Sequence, residues 1–106
     1  MKEVENYVHS KLDQPLSVEE ISTRFHISPK YLSNIFKAEK GESLASWIID
    51  RKINKACHLL VTQEDNSITE IARQVGYHDP RYFSRLFRKK TGLTPTDYRS
   101  RHLPLV

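Results

Sequence analysis

Only one cysteine, Cys57, occurs in a chain of 106 residues. That excludes an internal disulfide and fits a reducing cytosol. Glycine is nearly as scarce, at three residues, and no glycine-rich phosphate loop can be assembled from them. No apolar run approaches the length of a membrane span, and the first fifteen residues lack the apolar centre of a signal peptide. The five histidines, at positions 9, 26, 58, 78 and 102, show no H-x-x-x-H or Cys/His clustering. No metal site or cofactor is therefore expected. Strand-like alternation of period two is missing throughout, which points to an all-α chain. Nor is there an ordered carboxylate pair or a nucleophile with its base, so the chain does not read as an enzyme.

What is present is charge, placed unevenly. Residues 1 to 50 hold six Lys/Arg against eight Asp/Glu, while residues 51 to 106 hold eleven against five. The second half thus carries a net +6, which suits nucleic acid or another polyanion. Within it, Arg81, Arg85 and Arg88 fall at i, i+4 and i+7, opposite Phe83, Leu86 and Phe87. A helix there has one apolar stripe and one cationic stripe with no acidic neighbour on it. A solvated surface face would look the same.

The chain also repeats itself. Ser17, Glu20 and Ile21 match Ser67, Glu70 and Ile71 at an offset of 50, and Pro29, Tyr31, Ser33, Phe36 and Gly41 match Pro80, Tyr82, Ser84, Phe87 and Gly92 at 51. The one-residue insertion falls near Tyr77 and His78, in the turn between two periodic segments. Ser17-Val-Glu-Glu20 and Ser67-Ile-Thr-Glu70 read as capping boxes, hydroxyl and carboxylate each satisfying a backbone N–H. Ser28-Pro29, Asp79-Pro80 and Thr94-Pro95 place a cap before a proline at the first helical position. Gly41 and Gly92 sit where a helix end favours a left-handed residue. These signals predict seven helices, near 3–12, 18–25, 29–40, 44–61, 68–75, 80–91 and 95–101. Gly76 and His26, at equivalent turn positions, are expected to be left-handed.

The helix over 44–61 changes its apolar face partway. Leu44, Trp47 and Ile48 group on one side, whereas Ile49, Ile53, Ala56 and Leu60 lie roughly 150° around the wheel. Two partners are required, so this helix is a connector. The expected organisation is a single domain, 1–106, made of a first unit at 1–42, the connector at 43–61 and a second unit at 62–106. Each unit holds a short helix, a tight turn and a second helix, the plan of a helix-turn-helix. The first helices pack through Val18, Ile21 and Phe25, or Ile68, Ile71 and Val75. The second pack through Leu32, Ile35 and Phe36, or Phe83, Leu86 and Phe87. Lys30, Ser33, Asn34 and Lys37 are left outward on one copy, with Arg81, Ser84, Arg85 and Arg88 on the other. Arg matches guanine N7 and O6, and Asn matches adenine N6 and N7. Helix N-termini can take phosphates on backbone N–H groups.

The run ITEIARQVGYHDPRYFSRLFRKKTGLTPTDYR resembles the second helix-turn-helix of AraC/XylS-type bacterial transcription regulators. Ile68, Ile71, Ala72, Val75, Gly76, Tyr77, Asp79, Tyr82, Phe83, Arg85, Phe87, Arg88, Gly92, Pro95, Tyr98 and Arg99 fit its pattern. SPKYLSNIFKAEKG with Arg51, Ile53, Ala56, Leu59 and Leu60 is similar to the first motif and the connector. The resemblance implies two recognition helices entering successive major grooves of double-stranded DNA at an asymmetric site. By position, the base-reading candidates are Lys30, Ser33, Asn34, Arg81, Ser84 and Arg85. The phosphate-contact candidates are Ser17, Lys37, Ser67, Thr69, His78, Tyr82, Arg88 and Lys89. Pro80 departs from members that carry a polar side chain there, which would cost the second unit one reading position. Also implied are a cytoplasmic activator, RNA polymerase as a partner, a monomeric module, and a sensing, dimerising or receiver domain fused to it in most members, usually N-terminal.

Plainer roles stand beside these. Helical spacing places Tyr31, Tyr82, Phe36, Phe87 and Trp47 in the core or at its edge. Cys57 reads as an inert small core residue, and His78 fits a phosphate contact or a simple turn equally well. A protein-interaction module using a basic helix remains the rival to DNA binding. Steep salt dependence separates the two.

Overall fold

The computed structural model describes residues 1–102, and the last four positions of the expected second unit lie outside the described residues. Among the described residues seven helices follow in order: α1 (Lys2–Ser10), α2 (Val18–Arg24), α3 (Pro29–Lys40), α4 (Leu44–Thr62), α5 (Ile68–Gln74), α6 (Pro80–Thr91) and α7 (Pro95–His102). No strand occurs among the described residues. The fold is all-α, two helix-turn-helix units on a central helix, and measures 50 × 23 × 22 Å.

Side-chain caps set most helix starts. The hydroxyls of Ser17, Ser28, Ser43 and Ser67 accept from the backbone N–H of Glu20, Tyr31, Ser46 and Glu70 at 3.0–3.1 Å, each pairing a donor that the helix leaves free. Asp79 caps α6 from a carboxylate oxygen, 3.0 Å from the Arg81 N–H. Gly41 and Gly92 close α3 and α6 at φ 78° and 84°. Gly76 at φ 84° and His26 at φ 58° are both left-handed, as expected of the two turns.

Three expectations are corrected. Only half of each capping box forms, because the Glu70 carboxylate turns instead to Arg73, three residues on, at 2.6–3.0 Å. No bond from Glu20 to the Ser17 N–H forms either. The first helix ends at Ser10 rather than 12. The backbone turns there, through Lys11 N–H to Val8 carbonyl at 3.0 Å, so that carbonyls from the following loop can converge on α4. Tyr31 and Tyr82 are surface residues, 56% and 45% exposed. Leu32 and Phe36, like Phe83 and Phe87, already fill the buried stripe at i and i+4, and the tyrosines lie one residue (about 100°) off it.

Two apolar cores result. Val4, Val8, Leu12, Ile21, Leu32 and Phe36 close around the front of α4 through Leu44, Trp47 and Ile48. Ile71, Ala72, Val75, Phe83 and Phe87 close around its back through Ile53, Ala56, Leu59 and Leu60. Among the described residues the cores share none, and α4 is the one helix that enters both. Cys57 is half-buried beside the second, where burial pushes its thiol pKa up. Arg99 holds α7 against the end of α4, donating to the Leu60 and Gln63 carbonyls at 2.9 and 3.1 Å.

Between the cores lies Lys52, 3% exposed. Its ammonium donates to the carbonyls of Leu12 (2.8 Å), Gln14 (2.6 Å) and Val75 (2.9 Å), and lies 5.5 Å from the centre of the Tyr77 ring. Three hydrogens meet three acceptors. Burial is the main cause that lowers its pKa, to about 8, which still leaves it mostly protonated at neutral pH. Gly76 borders this cluster. A Cβ there would strike the Lys52 Nζ and come within 2.7 Å of the Gln14 carbonyl oxygen, whereas one at Gly41 would meet nothing within 4 Å.

Two stability measurements follow. Gly41→Ala bears only the cost of a left-handed alanine, about 1–2 kcal/mol, while Gly76→Ala adds a backbone clash and should lose at least about 1 kcal/mol more in urea unfolding. Lys52→Met strands three carbonyls and should lose about 2–3 kcal/mol. Equal losses for the two glycines, or no loss at Lys52, would contradict this packing.

Candidate nucleic-acid interface

The second helix of each unit, α3 or α6, shows solvent a polar face opposite its buried stripe. On α3, Lys30, Asn34 and Lys37 are exposed and Ser33 is half-buried beside Leu32. On α6, Arg81, Arg85, Arg88 and Lys89 are exposed and Ser84 is half-buried. Proline at the first helical position leaves no orphan N–H there. The N-caps keep the first turns ordered, which fixes where Lys30 and Arg81 begin.

Charge then separates the two faces. Among the described residues, none of Arg81, Arg85, Arg88 and Lys89 lies in an ion pair. The last-turn lysines behave differently, which the charge pattern of the sequence does not reveal. Lys40 bonds Glu5 on α1 at 3.0 Å, and Lys90 bonds Asp50 on α4 at 3.0 Å. Both fasten the helix ends to the scaffold. The cationic stripe that stays free is therefore Arg81, Arg85, Arg88 and Lys89 on α6, with Lys30 and Lys37 on α3.

The other phosphate candidates lie at helix starts and turns. Thr69 and Ser67 are exposed and Ser17 is half-buried. The Ser17 and Ser67 oxygens accept their cap bonds, and each hydroxyl hydrogen stays available to an anion. His78 is exposed in the turn before α6. Tyr82 stands at the start of α6 with its ring 6.0 Å from Tyr77. Tyr31 holds the matching place on α3, and both are exposed rather than in the core or at its edge as helical spacing had placed them.

No group of His, Cys, Asp or Glu among the described residues is arranged to hold a metal ion, and no described helix is long and apolar enough to cross a membrane. Lys52 is the feature that residue-by-residue reading missed. The sequence did carry a signal, since Leu44, Ile48, Lys52, Ala56 and Leu60 form an unbroken i, i+4 ladder with one cation in it.

A family described as a helix-turn-helix domain matches residues 21–101. The chain is 33% identical over 101 residues to the arabinose operon regulatory protein of Escherichia coli K12, covering 94% of this chain and 34% of that protein. Among solved structures, it is similar to the C-terminal domain of AraT, a response regulator from Geobacillus stearothermophilus. The TM-score is 0.94 at 32% identity, over 98% of this chain and 86% of that one. It is also similar to the DNA-binding domain of AdpA, a global transcriptional factor, solved with a target DNA. There the TM-score is 0.89 at 27% identity, over 95% and 90% of the two chains. The chain spans 12% to 34% of the length of the first curated relatives it matches.

The unequal charge of the two faces gives a measurable asymmetry. Lys30→Gln/Lys37→Gln and Arg85→Gln/Arg88→Gln each remove two cations, yet the arginine pair, on the more basic unit, should weaken binding to a non-specific duplex more. Equal losses from the two pairs would refute the asymmetry.

Proposed function

The chain belongs to the AraC/XylS family of helix-turn-helix transcription regulators, and from that premise we propose that it reads one asymmetric stretch of double-stranded DNA with two different helices. The observation that carries the reading is the unpaired arginine stripe on α6, repeated in weaker form by the polar face of α3. In a lone amphipathic helix such a stripe is an ordinary wet surface. Twinned on a shared connector, it supplies two reading heads.

The first unit, 1–42, offers Lys30, Ser33 and Asn34 to base edges, and the second, 62–106, offers Arg81, Ser84 and Arg85. Ser17, Lys37, Ser67, Thr69, His78, Tyr82, Arg88 and Lys89 contact phosphates and set register without reading sequence. The nineteen residues of α4 make a rod of about 28 Å at 1.5 Å per residue. With a reading head at each end, that is commensurate with the roughly 34 Å between major grooves one turn apart. Bending of the duplex takes up the difference, at about 1–6 kcal/mol. Two unlike helices on one chain need no two-fold partner, so the module binds as a monomer. By family resemblance it serves a bacterial cytoplasmic activator that works with RNA polymerase.

Selection from random duplexes at stated salt, then footprinting and stoichiometry on the selected site, tests the mechanism. One chain should protect two grooves about ten base pairs apart. Arg85→Ala should cost about 1–3 kcal/mol and relax preference in one half-element only. Protection of a single groove, or strict two-to-one binding to a palindrome, would sink the tandem reading. Salt-insensitive binding would favour a protein-interaction module instead.

A further inference from the structure

The two apolar cores are separate, one in each unit. Beside Lys52, a cleft of about 290 Å³ opens between Pro15, Leu16 and Val18 of the first unit and Tyr77 and Tyr82 of the second, floored by Ile49 of α4. The aromatic contacts each stay within one unit or its own end of α4. Among the described residues, no ion pair joins the two units directly. Among the described residues, Lys52 alone hydrogen-bonds both units, taking two carbonyls from the loop before α2 and one from the end of α5.

Those partners sit close to the reading heads in the chain. Gln14 lies a few residues before the Ser17 cap, and α2 hands the chain to α3 through one turn. Val75 ends α5, and Gly76 begins the turn into α6. Lys52 therefore ties the entry to α2 and the exit from α5 to one point on α4, in addition to the core by which each unit packs on that helix. From this geometry we infer that Lys52 is a positioning residue for DNA recognition, fixing the angle between the two reading heads without touching DNA itself. The inference rests on the tandem reading and deepens it.

A rigid pair of heads gains from simultaneous engagement, and that gain is lost when the geometry of the two sites no longer fits. A loosened pair tolerates altered spacing but has less to lose. The probe is the duplex selected by the native full chain, with variants carrying about five extra base pairs between the half-elements, half a helical turn, or one half-element alone. Native protein should lose roughly 10²-fold on the spaced duplex. Lys52→Met, confirmed folded by circular dichroism, should lose less than about tenfold there while binding the single half-element as well as native does. Lys52→Arg, which keeps a cation and several donors, should restore the native penalty. A purely structural role would instead lower the active fraction equally on every duplex.

If the methionine variant does not fold, Lys52→Gln, which keeps an amide donor, carries the same comparison. A native-sized spacing penalty in the folded variant overturns the positioning role and leaves the tandem reading intact. A native chain indifferent to spacing overturns the tandem reading itself, and this inference with it.

Discussion

A buried ammonium under three carbonyls is a demanding constraint, because each acceptor must be held in place by a different part of the chain. Lys52 finds two of them in the loop after α1 and the third at the end of α5. Burying such a charge is unfavourable unless its hydrogen bonds are complete, so the loop, the connector and the α5 turn have to be in register together. The early end of α1, the bare Cα of Gly76 and the nearby Tyr77 ring all follow from that requirement. The cluster adds a direct polar tie between two helical cores that otherwise each pack on α4 separately.

Around that constraint the duplicated units have diverged in kind. Both keep the serine cap before the first helix, the left-handed turn, the proline-led second helix and the glycine stop. They differ in what they show to solvent. The first presents short polar side chains among lysines, and the second presents guanidinium groups able to meet a base edge with two bonds. In both units the last lysine of the second helix is tied back in an ion pair, Lys40 to Glu5 and Lys90 to Asp50. Such partly exposed pairs contribute little to stability. They do remove two cations from the pool that a polyanion meets.

Much of this was legible in the residues, for local reasons. Caps, proline positions and glycine stops act within one turn of a helix, and they placed α2 through α6 to within a residue or so. The switch of apolar face along α4 was likewise readable and corresponds to the two cores. What escaped was everything decided at a distance. Lys52 drew no attention because its three acceptors come from positions far away in the chain. Tyr31 and Tyr82 were placed in the core or at its edge because they stand one step around the wheel from Leu32 and Phe83, which take the buried stripe. Glu70 looked like a capping carboxylate until a better partner, Arg73, stood one turn away.

Two cores that share no residue also bear on how such a protein can change over generations. A substitution on the outer face of α3 leaves the packing of Phe83 and Phe87 untouched, and one on α6 leaves that of Leu32 and Phe36 alone. On the proposed tandem reading, preference for one half of a bound sequence can therefore drift while the other half is held, with each intermediate still folded. A single shared core would couple the two and force them to vary together. On that reading, the separated cores make the molecule evolvable one half-word at a time.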